Sequence, residues 1–270
     1  MSDFYTVHPI DAHTWHIEDA FHDYMYLVEG EKCAALIDTG MGFRGLDETV
    51  RGLTDKPVIV LNTHGHLDHV GANGQFDKVY IMPEDEALMH EHMSEGYRAV
   101  DIPAFIQEIG AQLPKATEES LIYLPKDFTT VFMEDGQHID LGGRRLCVIS
   151  VPGHTKGSVV FMDRENHQLF SGDMLCTMGI MLNFDCSENV STFIKSMEKL
   201  KAQVEGSRTA IYGGHHVWPI QPDYCDKYIE CAKRLLKDGT GSVTEQGTFG
   251  EFYRYHFEDI SLTYVERTLQ

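Results

Sequence analysis

The chain has 270 residues, 42% of them hydrophobic and 24% charged, the proportions of a globular protein rather than a disordered or fibrous one. Acidic residues outnumber basic ones 42 to 22, and the formal net charge of −20 repels phosphate backbones and anionic membranes, so nucleic acid is not expected as a partner. No apolar run approaches the ~20 residues needed to cross a bilayer, no leader of basic then apolar residues is visible, and six scattered cysteines without a CxxC pair read as reduced thiols of a cytoplasmic protein.

In chain order, Met25 to Val28 and Ala34 to Ile37 read as two strands joined by the turn Glu29-Gly30-Glu31-Lys32. Gly40 and Gly42 break the chain, Leu46 to Leu53 reads as a short helix, and Val58 to Leu61 is an apolar strand running straight into Asn62-Thr63-His64. A strand at Val79 to Met82 precedes Pro83, a helix start with Glu84, Asp85 and Glu86 behind it. A second helix is expected over Pro103 to Gln112. Strands follow at Leu146 to Val151, Ser158 to Met162 and Gln168 to Phe170. Val190 to Val204 carries Phe193, Ile194, Met197, Leu200 and Val204 on one stripe, with Gly206 behind it. Thr209 to Tyr212 reads as a strand, Asp223 to Lys237 as a helix, and Phe252 to Val265 as a closing hairpin. Strands, helices, strands, helices in that order suit an α/β four-layer sandwich. Without a linker or repeat, the chain is expected to form a single domain over 1–270, with a helical insertion at about 84–135 acting as a lid or as a dimerisation surface.

Chemistry concentrates in Thr63-His64-Gly65-His66-Leu67-Asp68-His69. Three imidazoles and a carboxylate in six positions are ligands suited to Zn²⁺ and similar divalent ions. The segment follows an apolar strand, so it should form a loop at the strand's end, where Gly65 permits a tight path.

The spacing H-x-H-x-D-H resembles the signature of the metallo-β-lactamase superfamily. Ile37-Asp38-Thr39-Gly40 is similar to that family's first motif, Pro152-Gly153-His154-Thr155-Lys156-Gly157-Ser158 to its third, Phe170-Ser171-Gly172-Asp173 to its fourth and Tyr212-Gly213-Gly214-His215 to its fifth. The resemblance implies the four-layer αββα sandwich of the metallo-β-lactamase fold and two divalent metal ions, Zn²⁺ first, with Fe and Mn also suited. It further implies that His64, His66 and His154 bind one ion, that Asp68, His69 and His215 bind the other, and that Asp173 bridges them. A bridging hydroxide would be the nucleophile, with Asp68 as the catalytic side chain that orients it or shuttles a proton. Asp38 is expected to fix a ligand or the loop rather than to ligate, and its alternative is a strand-end Asp capping the turn at Thr39-Gly40. His22 and Tyr24 stand where the family often places a loop over the metals, which implies a pocket role. His216 is not expected to ligate. His90 and His92, on the acidic helix, read as solvated.

Departures from known branches narrow the activity. Zinc β-lactamases generally lack the bridging aspartate that Asp173 supplies. Glyoxalase-II-like enzymes carry a basic stretch after it, where this chain reads Met174-Leu175-Cys176-Thr177-Met178-Gly179. Lactonases acting on acyl-homoserine lactones place a tyrosine at the position of Cys176. What remains is a binuclear metal-dependent hydrolase of a small ester, thioester or lactone. A phosphodiesterase on the same site is the nearest alternative, and a mononuclear iron dioxygenase of the persulfide-oxidising type or a non-catalytic sensor are alternatives of another class. Met174, Met178, Met181 and Phe184 are either an adaptable substrate wall or core packing. A small molecule is the expected partner, with a homodimer as the family's common assembly.

Overall fold

The structure, a computed structural model, describes residues 4–109, 127–239, 241–247 and 250–270. Its backbone gathers into two compact units, Met1–Met133 with His138–Leu146, and Glu134–Gln137 with Cys147–Gln270.

In the first unit seven strands lie in chain order: β1 (Tyr5–Asp11), β2 (Thr14–Asp19), β3 (Tyr24–Glu29), β4 (Ala34–Ile37), β5 (Val58–Leu61), β6 (Lys78–Ile81) and β7 (Thr129–Phe132). Neighbours are antiparallel from β1 to β4 and parallel from β4 to β7. The switch places the ends of β4 and β5 side by side, so the loops after them share one edge of the sheet. One face carries Ile17, Met25, Leu27, Leu36, Val60, Val79 and Ile81. Against it pack the short helices α1 (Leu46–Arg51) and α2 (Leu67–Val70), then α3 (Glu86–Met93) and α4 (Glu95–Ile109), through Leu46, Val50, Leu67, Val70, Met89, Met93 and Ile102.

Sequence pattern misses β1 and β2. β1 is an edge strand holding Pro9, where the pairing register shifts, and proline is tolerated at such an edge. The helix expected to start at Pro103 starts at Glu95 instead, with Pro103 inside it. Ser94 Oγ accepts from Tyr97 N at 3.2 Å, so a hydroxyl satisfies an orphan donor of the first turn and sets the start ahead of the proline. Residues 110–126, most of the later part of the 84–135 segment and the end of that expected helix, lie outside the described residues.

In the second unit β9 (Arg145–Ser150), whose first residues belong to the other unit as does the short strand β8 (His138–Asp140) before it, β10 (Val159–Asp163), β11 (Gln168–Gly172) and β13 (Ala210–Gly213) lie side by side. β10 is antiparallel to both neighbours, and β13 is parallel to β11. A second sheet runs β12 (Ile180–Leu182), β16 (Ile260–Tyr264), β15 (Gly250–Phe257), β14 (Val243–Gly247). The expected closing hairpin is β15–β16, flanked by two short strands. The predicted amphipathic helix is α5 (Val190–Val204), capped by Asn189, whose Oδ1 accepts from Thr192 N at 2.8 Å. Its buried stripe and that of α6 (Tyr224–Lys237) join Ile149, Val160, Leu169 and Ile211 in one core. A short α7 (Glu266–Leu269) ends the chain.

Candidate metal centre

The first unit builds its ligand loop on the end of β5. Asp38, at the end of β4, adopts a left-handed backbone with φ 60° and turns its carboxylate across the sheet edge. Oδ1 accepts from Thr63 N at 2.8 Å, and Oδ2 accepts from Thr63 Oγ1 at 2.7 Å. His69 Nδ1 lies 2.8 Å from the same Oδ2, and because a carboxylate only accepts, Nδ1 carries the proton. His69 therefore turns Nε2 inward, 3.6 Å from Asp68 Oδ2. His64 Nε2 and His66 Nδ1 lie 3.1 Å apart. All three imidazoles are buried, while Asp68 is partly open.

The loop is pinned from behind. Gly65 N donates to Asp85 Oδ2 at 3.0 Å, and Leu67 N donates to His92 Nδ1 at 3.0 Å. A Cβ at Gly65 would stand 2.9 Å from Asp85 O and 3.0 Å from Met89 N, so close approach requires the glycine. Asn62 Nδ2 donates to the His69 carbonyl at 3.0 Å, and Thr39 Oγ1 donates to it at 3.2 Å. Arg98, from α4, donates to the Gly71 carbonyl at 2.7 Å. His92 is thus a buried support of the loop, not a solvated group. Burial pulls it down to about 4, against a smaller opposing effect of Asp68, which keeps Nδ1 an acceptor for Leu67. Asp85, expected only as an acid favouring a helix start, is fully buried. Neither role has a local sequence signal: the i, i+3 spacing of Met89, His92 and Met93 on the buried side of α3 is the one hint.

The second unit holds the other residues. His154 Nδ1 lies 2.7 Å from the Met181 carbonyl, which as an acceptor fixes the proton there and directs Nε2 to Asp173 Oδ2 at 3.5 Å. The other oxygen of Asp173 lies 3.3 Å from His215 Nε2. Ser187 Oγ donates to the His154 carbonyl, and Ser196 Oγ of α5 donates to the Pro152 carbonyl, both at 2.7 Å. Of the adjacent pair, His215 is partly buried and faces Asp173, whereas His216 is exposed with φ 69°. Cys176 is buried and its thiol is pushed far up by burial, with Asp173 adding to the effect, so it stays protonated.

Separations of 3.3, 3.5 and 3.6 Å between imidazole nitrogen and carboxylate oxygen exceed those of good hydrogen bonds. They match the edge, roughly 3.4 Å, of a tetrahedron of ligands ~2.1 Å from an ion. Imidazoles anchored through their far nitrogen by a carboxylate or a carbonyl are how metal-binding histidines are held. The donor set of each unit fits a divalent metal. His22 and Tyr24 lie around the β2–β3 turn: His22 is exposed and its Nδ1 hydrogen-bonds Glu18 Oε1, while Tyr24 is buried.

The sequence pattern of the metallo-beta-lactamase superfamily matches residues 19–240. The chain belongs to the metallo-beta-lactamase superfamily. It therefore has that superfamily's α/β sandwich fold and is a metal-dependent hydrolase. It is 25% identical over 256 residues to acyl-coenzyme A thioesterase MBLAC2 of Gallus gallus, covering 84% of this chain and 91% of that protein. Hydroxyacylglutathione hydrolase GloC of Haemophilus influenzae is 29% identical over 157 residues, 56% of this chain and 66% of that one. Among solved structures, TTHA1623 in a di-iron-bound form superposes with a TM-score of 0.52 at 26% identity, covering 73% of this chain and 89% of that chain. Among the described residues no helix is long and apolar enough to cross a membrane.

Proposed function

We propose that this superfamily member is a binuclear hydrolase of acyl thioesters, with His64, His66 and His154 holding one ion, Asp68, His69 and His215 the other, and Asp173 bridging. The observation that carries the reading is Asp173, which presents one oxygen to His154 and the other to His215. A carboxylate so divided suits two ions, and the di-iron form of a similar structure supports the count. Nitrogen and oxygen donors suit Zn²⁺, with Fe and Mn as alternatives of the same chemistry. The family match runs through both units, which supports one catalytic domain over the whole chain.

Ions bound there would polarise the scissile carbonyl and bring the pKa of bound water towards ~7. The chain's own residues position and move the proton. Asp38 fixes the His69 tautomer, and the Met181 carbonyl fixes that of His154. Asp68 would take a proton from the attacking water and return it to the departing sulfur, a role that its partly open position in the first turn of α2 supports. Water adds to the acyl carbon, the C–S bond breaks, and a carboxylate and a thiol leave.

Two relatives named for thioester hydrolysis support the bond. Met174 is core, but Met178 and Met181, 64% and 37% exposed, offer an adaptable apolar surface on the stretch that holds His154, suited to an acyl chain. The test is turnover of a panel by metal-loaded protein: an acyl-CoA, an acylglutathione, a lactone, a β-lactam and a phosphodiester, with Asp173→Ala as the blank. Asp173-dependent cleavage should favour a thioester by at least tenfold. Preference for the phosphodiester or the β-lactam would overturn the substrate assignment and leave the ligand set standing.

A further inference from the structure

A second set of metal-binding side chains stands on the β1–β2 hairpin, away from the motif residues in sequence. His8 is directly opposite His16 in the antiparallel ladder, and their rings stack 5.6 Å apart at 18°. Glu18, two residues beyond His16, projects from the same face. Ligand atoms of His8, His16 and Glu18 all lie within 4.8 Å of one another. A common ion would draw them to separations of roughly 3.4 Å, a closure that the exposed His8 and half-buried Glu18 can make by side-chain rotation.

His16 is fully buried. The Tyr24 ring packs edge-on to it at 4.4 Å and the Tyr26 ring lies at 5.4 Å, which fixes the orientation of the imidazole. The Glu18 carboxylate is itself held by His22 Nδ1, the kind of outer hydrogen bond that orients a ligating carboxylate.

We infer that His8, His16 and Glu18 form a transition-metal site of the Zn²⁺ class that ties the edge strand β1 to β2. Two imidazoles and one carboxylate on antiparallel neighbours, with a position left for water, are a donor set such ions favour. The role is structural: among the described residues β1 has one neighbour in the sheet, and its register breaks at Pro9.

The test is the number of Zn²⁺ equivalents retained by the full-length protein after dialysis at low micromolar Zn²⁺, for the parent, His8→Ala and Glu18→Gln. Each variant should retain one equivalent fewer than the parent, with thioesterase turnover unchanged. The difference is independent of how many ions the catalytic residues hold, so failure here and failure of the binuclear reading are separable. The Zn²⁺-induced rise in melting temperature should also shrink in both variants. Equal stoichiometry in parent and variants would overturn the site, as would a difference appearing only at millimolar Zn²⁺, the mark of casual chelation by exposed imidazoles.

Discussion

Asp38 shows how one side chain sets the chemistry of its neighbours. An aspartate at φ 60° accepts a backbone conformation that costs of order 1 kcal/mol, and three hydrogen bonds to Thr63 and His69 hold it there. Asp38→Ala should weaken metal binding about 10- to 100-fold, the usual effect of removing the partner that orients a ligating histidine. Asp38→Asn should weaken it too, because the amide can present an N–H to His69 Nδ1 and reverse the tautomer. Competition with a chromophoric chelator measures both, and unchanged affinity in Asp38→Ala would remove the positioning role. Gly65→Ala should displace the loop, since its Cβ meets backbone of Asp85 and Met89 on α3 and the turn before it. Metal content and turnover should fall together, with a stability loss of about 1–3 kcal/mol read from thermal unfolding.

At the scale of elements, α5 both stabilises and positions. Phe193 is fully buried in the second core, and its ring lies where a Cβ on Gly153 would reach it at 2.9 Å, so the helix supports the turn that carries His154. Phe193→Ala should cost about 3–5 kcal/mol in urea unfolding and should also loosen metal binding. Asn189→Ala removes the cap of the same helix but leaves Phe193 in place, and should cost ~1 kcal/mol with a smaller loss of metal affinity. If the two variants had equal effects on metal affinity, the support ascribed to Phe193 would be wrong. The turn before α3 and α3 itself do the same in the first unit: Asp85 and His92 hold Gly65 and Leu67 from one short segment.

For the whole molecule, the net charge of −20 acts on any polyanionic substrate. Raising ionic strength from about 0.01 to 0.15 M shortens the Debye length from ~30 to ~8 Å. The kcat/KM for an acyl-CoA should therefore rise a few-fold over that range, while that for an uncharged thioester stays level. A fall with salt would mean that a local basic surface outweighs the overall charge. Removal of metal by a chelator should lower the melting temperature, since ions bound only by the folded chain contribute about 2.7 kcal/mol at a hundred times their Kd.

The family, the order of the strongly patterned elements and the ligand-bearing loop are legible in the residues themselves. Local physics suffices for these: an apolar strand ending in H-x-H-x-D-H, and an apolar stripe at helical spacing with a glycine behind it. The edge strand β1 and its neighbour β2 are not legible, because mixed polar residues and Pro9 mask their alternation until β3 pairs with β2 and β2 with β1. Nor are the supports of the site. Asp38 was readable as a turn cap or as an anchor, and only the fold, by setting β4 beside β5, places it against Thr63 and His69. His92 and Asp85 carry polar side chains that local pattern assigns to solvent. Tertiary packing buries them because the loop after β5 exposes N–H groups that need acceptors, and those acceptors come from residues 20 and 25 positions further along the chain.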